Sequence, residues 1–192
     1  MAKQSARERM VASAREMIRR RGVAGTSMIE VLTAAGASRG SLYHYFPGGK
    51  TEMIEDATRS AIADYTDVIE LLAGLEPEQA VPLLIEGWKA EVEASGFTAG
   101  CPVVAAAMGG EYVPTARAMA GEAFTRWSAQ LERMLVNTGV AQHRVQSLAT
   151  LVLSAVEGAV IMGLAQHSSE PLRRVGAELL TLIQSQREDG PR

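Results

Sequence analysis

The apolar positions fall into helical stripes along the whole chain. In residues 5–21, Met10, Val11, Ala14, Met17 and Ile18 recur on one helix face. Arg19, Arg20 and Arg21 followed by Gly22 place cations and a glycine where a helix ends. Ser27 opens a second helix over 27–35, and Glu30 three residues on completes a capping box. Ile29, Val31 and Leu32 supply its buried face, and Gly36 stops it. Ser38 caps a third helix over 38–45, anchored inward by Leu42 and Phe46. Pro47-Gly48-Gly49 then breaks the chain. A long fourth helix, 50–73, carries Met53, Ile54, Ala57, Ala61, Ile62, Tyr65, Ile69 and Leu72 at helical spacing and stops at Gly74.

Five further helices follow. One runs over about 79–95, with Pro77 and Pro82 near a start that proline restricts to a first turn. A short one follows Gly100-Cys101-Pro102 and ends at Gly109-Gly110. Pro114 opens another that reaches Asn137. The next covers 141–166, and the last runs from Ser169-Glu170-Pro171 to Arg187. The tail 188–192 is expected to fray. No alternating β-branched run interrupts this pattern, so the prediction is an all-α fold of nine helices.

Composition narrows the class. The chain has 192 residues, 47% hydrophobic and 21% charged, which is ordinary for a soluble globular protein with a small head and one larger core. One cysteine excludes an internal disulfide framework and a Cys-rich zinc site, and it fits a reducing cytoplasm. The first residues hold no apolar stretch of the kind a signal peptide needs. The net charge of −3 conceals an asymmetry. Residues 1–50 carry nine Lys/Arg (Lys3, Arg7, Arg9, Arg15, Arg19, Arg20, Arg21, Arg39, Lys50) against three acids. The remainder carries ten against nineteen. A basic head on an acidic body is the footprint of a nucleic-acid-binding module joined to a domain with another task.

Two short helices joined through Ala35-Gly36-Ala37 make a helix-turn-helix, whose second helix can enter the major groove. The string Gly36-Ala37-Ser38-Arg39-Gly40-Ser41-Leu42-Tyr43-His44-Tyr45-Phe46-Pro47-Gly48-Gly49-Lys50 closely resembles the DNA-binding signature of the TetR family of repressors. Its Pro-Gly-Gly-Lys ending, with the later Gly100-Cys101-Pro102-Val103, is similar to the LmrA/YxaF-like branch. The specific match covers residues 5–55; beyond it the resemblance is one of helical layout and the Cys101-Pro102 segment. The resemblance implies a DNA-binding domain at 1–50 and an effector-binding and dimerisation domain at 51–192. It also implies a homodimer on a palindromic double-stranded operator, released by a small apolar molecule, with an efflux or detoxification gene nearby as target.

Physical chemistry assigns the head residues in the same sense. Arg39 can be bidentate to guanine O6/N7. Gly40 lets backbone approach DNA closely. Ser38, Ser41 and His44 can reach bases or phosphates, and the hydroxyls of Tyr43 and Tyr45 suit phosphate oxygens. Lys50 places an ammonium at a helix N-terminus, and Thr26 and Ser27 offer a similar anchor. One of the two tyrosines serves equally well as packing, Ser27 as a simple cap, and Arg19 to Arg21 as solvated charge. His44 has no partner ligand nearby, and no metal or cofactor is expected.

In the body, 148–165 is almost entirely apolar or small, broken by Thr150, Ser154 and Glu157. Its length approaches a membrane span, but Glu157 at its centre and its small residues favour a core helix that also meets a dimer mate, and no membrane partner is expected. Val175, Leu179, Leu182 and Ile183 give the last helix a matching stripe. The resemblance implies a four-helix dimer interface from 141–166 and 171–187, and a ligand pocket among the middle helices. Candidate lining residues are Trp88, Phe97, Met108, Tyr112, Phe124, Trp127, Met134 and Met162, with Glu157, Gln166, His167 and Glu111 as polar candidates. Each lining residue taken singly reads more simply as core, and Glu157 equally as a partner for an arginine across the dimer. Cys101, between Gly100 and Pro102 at a helix start, is either a redox-sensing thiol or structural.

An enzyme is not expected. His44, His143 and His167 are scattered, and no P-loop or dinucleotide motif is present. The residues alone also fit a helical adaptor, or an activator in place of a repressor.

Overall fold

The computed structural model describes residues 5–187, which leaves Lys3 and the expected fraying of 188–192 outside the described residues. Among these the chain is all helical, with nine α-helices: α1 (Ala6–Arg21), α2 (Met28–Ala35), α3 (Arg39–Tyr45), α4 (Gly49–Ala73), α5 (Pro77–Ala94), α6 (Pro102–Ala107), α7 (Pro114–Asn137), α8 (Val145–Gln166) and α9 (Glu170–Ser185). Two 3₁₀ turns, Gly110–Tyr112 and Gln142–Arg144, precede α7 and α8. The second replaces the first residues expected of the eighth helix.

The chain divides into two compact units, with boundaries inside α4, between α5 and α6, and inside α7. The first comprises residues up to Asp64 and Cys101–Ala123. Here α1 packs on α2 and α6. Met10, Ala14 and Ile18 from α1 meet a core with Val31, Leu32, Leu42, Phe46, Met53 and Ile54. Phe46 is completely buried, a contribution of about 1.5–3 kcal/mol. The second unit, Tyr65–Gly100 and Phe124–Arg192, packs α9 against α8 and α5. Its core includes Ile85, Val92, Leu135, Leu148, Val152, Leu172 and Ile183.

Three local expectations change. Ile29 is 60% exposed, because α2 turns Val31, Leu32 and Ala35 inward and Ile29 lies off that stripe. The full capping box belongs to α1, where Ser5 Oγ accepts the Glu8 N–H and Glu8 accepts the Ser5 N–H. At α2 only half of it forms: Ser27 accepts the Glu30 N–H, while the Glu30 carboxylate is drawn to Arg21 at 2.6 Å. Finally, α5 starts at Pro77 and keeps Pro82 inside it. Pro77 removes no helical hydrogen bond at the first position, whereas Pro82 removes a donor in the second turn.

Candidate nucleic-acid interface

The turn between α2 and α3 is built around Gly36, whose φ of 60° is left-handed and whose N–H closes onto the carbonyls of Leu32 and Thr33. Ser38 caps α3 by accepting the Ser41 N–H at 3.1 Å, and its hydroxyl shares a 2.9 Å hydrogen bond with the Ser41 hydroxyl. Only Leu42 of α3 is buried. The helix therefore offers most of its surface to solvent. Arg39, Gly40 and His44 are exposed, Tyr43 is 70% exposed, and Ser41 is half-buried. Tyr45 is half-buried and packs edge-on against His44 at 4.8 Å, which makes it the tyrosine that shares in packing. A Cβ on Gly40 would meet only Ser38 Oγ, at 3.7 Å, so no packing within the head requires a glycine there.

One flanking position differs from expectation. Thr26 is 1% exposed and donates its hydroxyl to the Gly22 carbonyl at 2.8 Å. It braces the α1–α2 turn and leaves the solvent-facing set; Ser27 stays half-exposed as the α2 cap. Lys50 lies half-buried in the first turn of α4. Beside it the Glu52 carboxylate accepts the Gly48 N–H at 2.8 Å, a contact the sequence reading missed.

The basic charge of the head is sorted by its partners. Arg7 pairs with Asp56, Arg15 with Asp64, Arg20 with Glu16 and Arg21 with Glu30. Arg19 reaches Glu16 at 3.8 Å, and Arg9 Nε donates to the Ala35 carbonyl at 3.0 Å. Among the described residues, Arg39 and Lys50 are the head cations with no ion pair or hydrogen bond. Arg39 is the first residue of α3, and Lys50 lies in the first turn of α4, after the Pro47-Gly48 break.

In the second unit an aromatic cluster forms from α4, α5 and α7. Tyr65 stacks on Trp88 with centroids 5.5 Å apart and meets Trp127 edge-on at 6.3 Å, and Phe124 meets Trp127 at 5.4 Å. Trp127 Nε1 donates to Thr66 Oγ1 at 2.9 Å. One turn along both helices, Gln130 Nε2 donates to Glu70 at 3.1 Å, while Gln130 Oε1 is buried without a hydrogen bond in the chain. Trp88, Trp127 and Met134 are buried; Phe97, Phe124 and Glu157 are half-buried. Phe97 adopts a left-handed φ of 58° and contacts the His167 ring at 6.2 Å. Gln166 and His167 are exposed at the end of α8.

Three expected lining residues lie elsewhere. Met108 and Tyr112 are 78% and 81% exposed around a Gly109-Gly110 turn, and Glu111 between them is exposed too. Met162 is 50% exposed on α8. Within one chain, side chains this open do not enclose an apolar ligand. Cys101 is buried at the start of α6, forms no disulfide and provides no side-chain cap.

The comparisons agree at both ends of the chain. Residues 11–57 match the family model for bacterial regulatory proteins of the tetR family. Residues 77–178 match the model of the LmrA/YxaF-like transcriptional regulator C-terminal domain. An HTH-type transcriptional regulator of Mycobacterium tuberculosis is 35% identical over 187 residues, covering 94% of this chain and 95% of the relative. The HTH-type transcriptional regulator LmrA of Bacillus subtilis is 26% identical, covering 92% of this chain and 96% of its own. In fold, a TetR transcriptional regulator from Legionella pneumophila superposes with a TM-score of 0.83 at 18% identity, covering 95% of this chain and all of that one. These relatives are transcriptional regulators, not enzymes. The chain belongs to the TetR family of helix-turn-helix transcriptional regulators, in its LmrA/YxaF-like branch.

Proposed function

We propose that the protein is a cytoplasmic homodimeric repressor that grips a palindromic operator with residues 1–50 and senses a small apolar molecule with 51–192. The observation that carries this reading is the surface of α3. It buries one side chain, and it is flanked by the two head cations that have no internal partner, Arg39 and Lys50. Arg39 reads a guanine edge, and Gly40 admits the DNA backbone. Ser38, Ser41, Tyr43, His44 and Tyr45 bind phosphates or base edges, and Ser27 and Lys50 anchor phosphates on either side.

The dimer forms through α8 and α9. α8 with its preceding turn, Gln142–Gln166, holds an 18-residue window of mean hydropathy 2.0 and is long and apolar enough to cross a membrane by length and composition. Only 39% of its most apolar window is buried within the chain. Leu151, Ala155, Gly158, Ile161, Met162 and Ala165 lie along one open or half-open face. That face supports a partner helix, and small residues let two helices approach closely. Two heads on a two-fold axis then meet half-sites about 34 Å apart.

The effector site uses the cluster of Trp88, Phe124 and Trp127, with Tyr65 added. An effector must prefer the state that has left the operator; full switching requires about a 10⁴-fold preference, about 5.5 kcal/mol. The test begins with selection of bound duplexes from a randomised library, followed by sedimentation of the protein with and without the winner. Enrichment of a palindrome bound by a dimer supports the reading. A monomer that enriches nothing overturns it.

A further inference from the structure

The helix α3 has seven residues and one buried side chain, so its orientation depends on what holds its ends. The first helix supplies both fastenings. Arg9 Nε donates to the carbonyl of Ala35, the last residue of α2, just before the turn into α3. A cation there also meets the negative end of the α2 dipole. The Arg7 guanidinium lies 5.5 Å from the ring centroid of Phe46, the residue that closes α3, and pairs with Asp56 on α4. Asp56 is 8% exposed and also holds Arg59. Eight residues further along both helices, Arg15 and Asp64 repeat the α1–α4 tie. Between these pairs runs an open groove of about 1050 Å³.

We propose that Arg7 and Arg9 are positioning residues for sequence reading, not phosphate ligands: they clamp the end of α2, ahead of the turn, and the residue that follows α3. This rests on the reading of α3 as the DNA-contacting helix. The two roles differ in signature. A phosphate ligand contributes to every duplex alike, and its removal lowers the slope of log affinity against log salt by about one. A positioning residue matters only where base edges are read, so its loss lowers the preference for the selected sequence and leaves scrambled DNA and the slope alone. Asp56→Asn separates them by sign, because it frees Arg7 and removes a negative charge. If Arg7 binds phosphate, affinity rises on any duplex. If Arg7 positions Phe46, affinity falls on the selected duplex alone.

The experiment uses the full chain, a duplex selected by the wild type from a randomised library, and a scrambled duplex of equal composition, in a salt series. Asp56→Asn and Arg9→Met are expected to lose on the order of ten-fold on the selected duplex, the scale of one base contact. Binding to the scrambled duplex is expected to hold or tighten. Arg9→Lys, which keeps a cationic donor, is expected to recover the preference. Should Asp56→Asn not fold, the Arg9 pair decides. Tighter binding of Asp56→Asn to both duplexes, or equal loss of Arg9→Met on both with a shallower slope, overturns the proposal alone. A wild type that selects no sequence overturns the reading of α3, and the proposal with it.

Discussion

The indole nitrogen of Trp127 on α7 donates to the hydroxyl of Thr66 on α4 at 2.9 Å, and the same indole meets the Tyr65 ring edge-on. Trp127 is 3% exposed, so its N–H has little access to water. Thr66→Val keeps the shape and removes the acceptor. The expected cost is about 1–3 kcal/mol of stability, read from urea midpoints at unchanged slope. A change within ~0.3 kcal/mol would mean that water replaces the hydroxyl.

Gly176 marks a close approach of α9 to α5. A Cβ there would lie 2.6 Å from Ile85 Cγ1, and Ile85 is buried. Gly176→Ala must move Ile85 or spread the helices, an overpacking cost of about 1–3 kcal/mol that outweighs alanine's better helix propensity of about 1 kcal/mol. Thermal unfolding of the variant checks this; a raised Tm contradicts it.

Gly40 carries the opposite expectation. It sits inside α3, where alanine is favoured by roughly 0.8–1.0 kcal/mol, and a Cβ would meet nothing closer than 3.7 Å. Gly40→Ala should therefore raise stability while weakening binding to the selected duplex, because the methyl group stands between backbone and DNA. Paired melting and anisotropy measurements test the split. Unchanged binding would remove Gly40 from the interface.

Acid stability has named contributors. Hydrogen bonds from Arg173, and then Arg174, hold the Glu170 carboxyl at about 2, below its ordinary 4.5. The Ser5 backbone N–H lowers Glu8, and the Gln184 amide lowers Glu78. A carboxyl depressed on folding stabilises above its unfolded value and loses that contribution as pH falls through the folded one. For Glu170 the window runs from about 4.5 down to about 2. Glu170→Gln should flatten that part of the pH–Tm curve and leave pH dependence above about 5 unchanged. Glu8 and Glu78 are exposed and Glu170 is half-exposed, so solvent screening keeps each effect small.

The first helices were legible because each carries a 3.6-residue stripe closed by glycine or proline, as in Met10–Ala14–Ile18 before Gly22. The α3 surface was legible because Leu42 and Phe46 fix which side faces in. What escaped was pairing across distance. Arg7 and Asp56 stand forty-nine residues apart, and nothing local links them. Glu30 looked like a cap because Ser27 lies three residues before it, but Arg21 competes for its carboxylate and wins. Thr26 looked like a phosphate anchor because residue type does not reveal that its hydroxyl turns back to Gly22. Tyr65 read as one more apolar position, although it is the ring on which Trp88 and Trp127 converge.

The most direct test of the account is Arg39→Ala on the selected and scrambled duplexes by fluorescence anisotropy. Arg39 is exposed at the first position of α3 and has no partner among the described residues. A lost bidentate guanine contact should cost about 1–3 kcal/mol on the selected duplex, relax the preference at one base pair, and leave scrambled DNA nearly unaffected. Equal binding of wild type and variant to the selected duplex would contradict the claim that α3 reads DNA through Arg39.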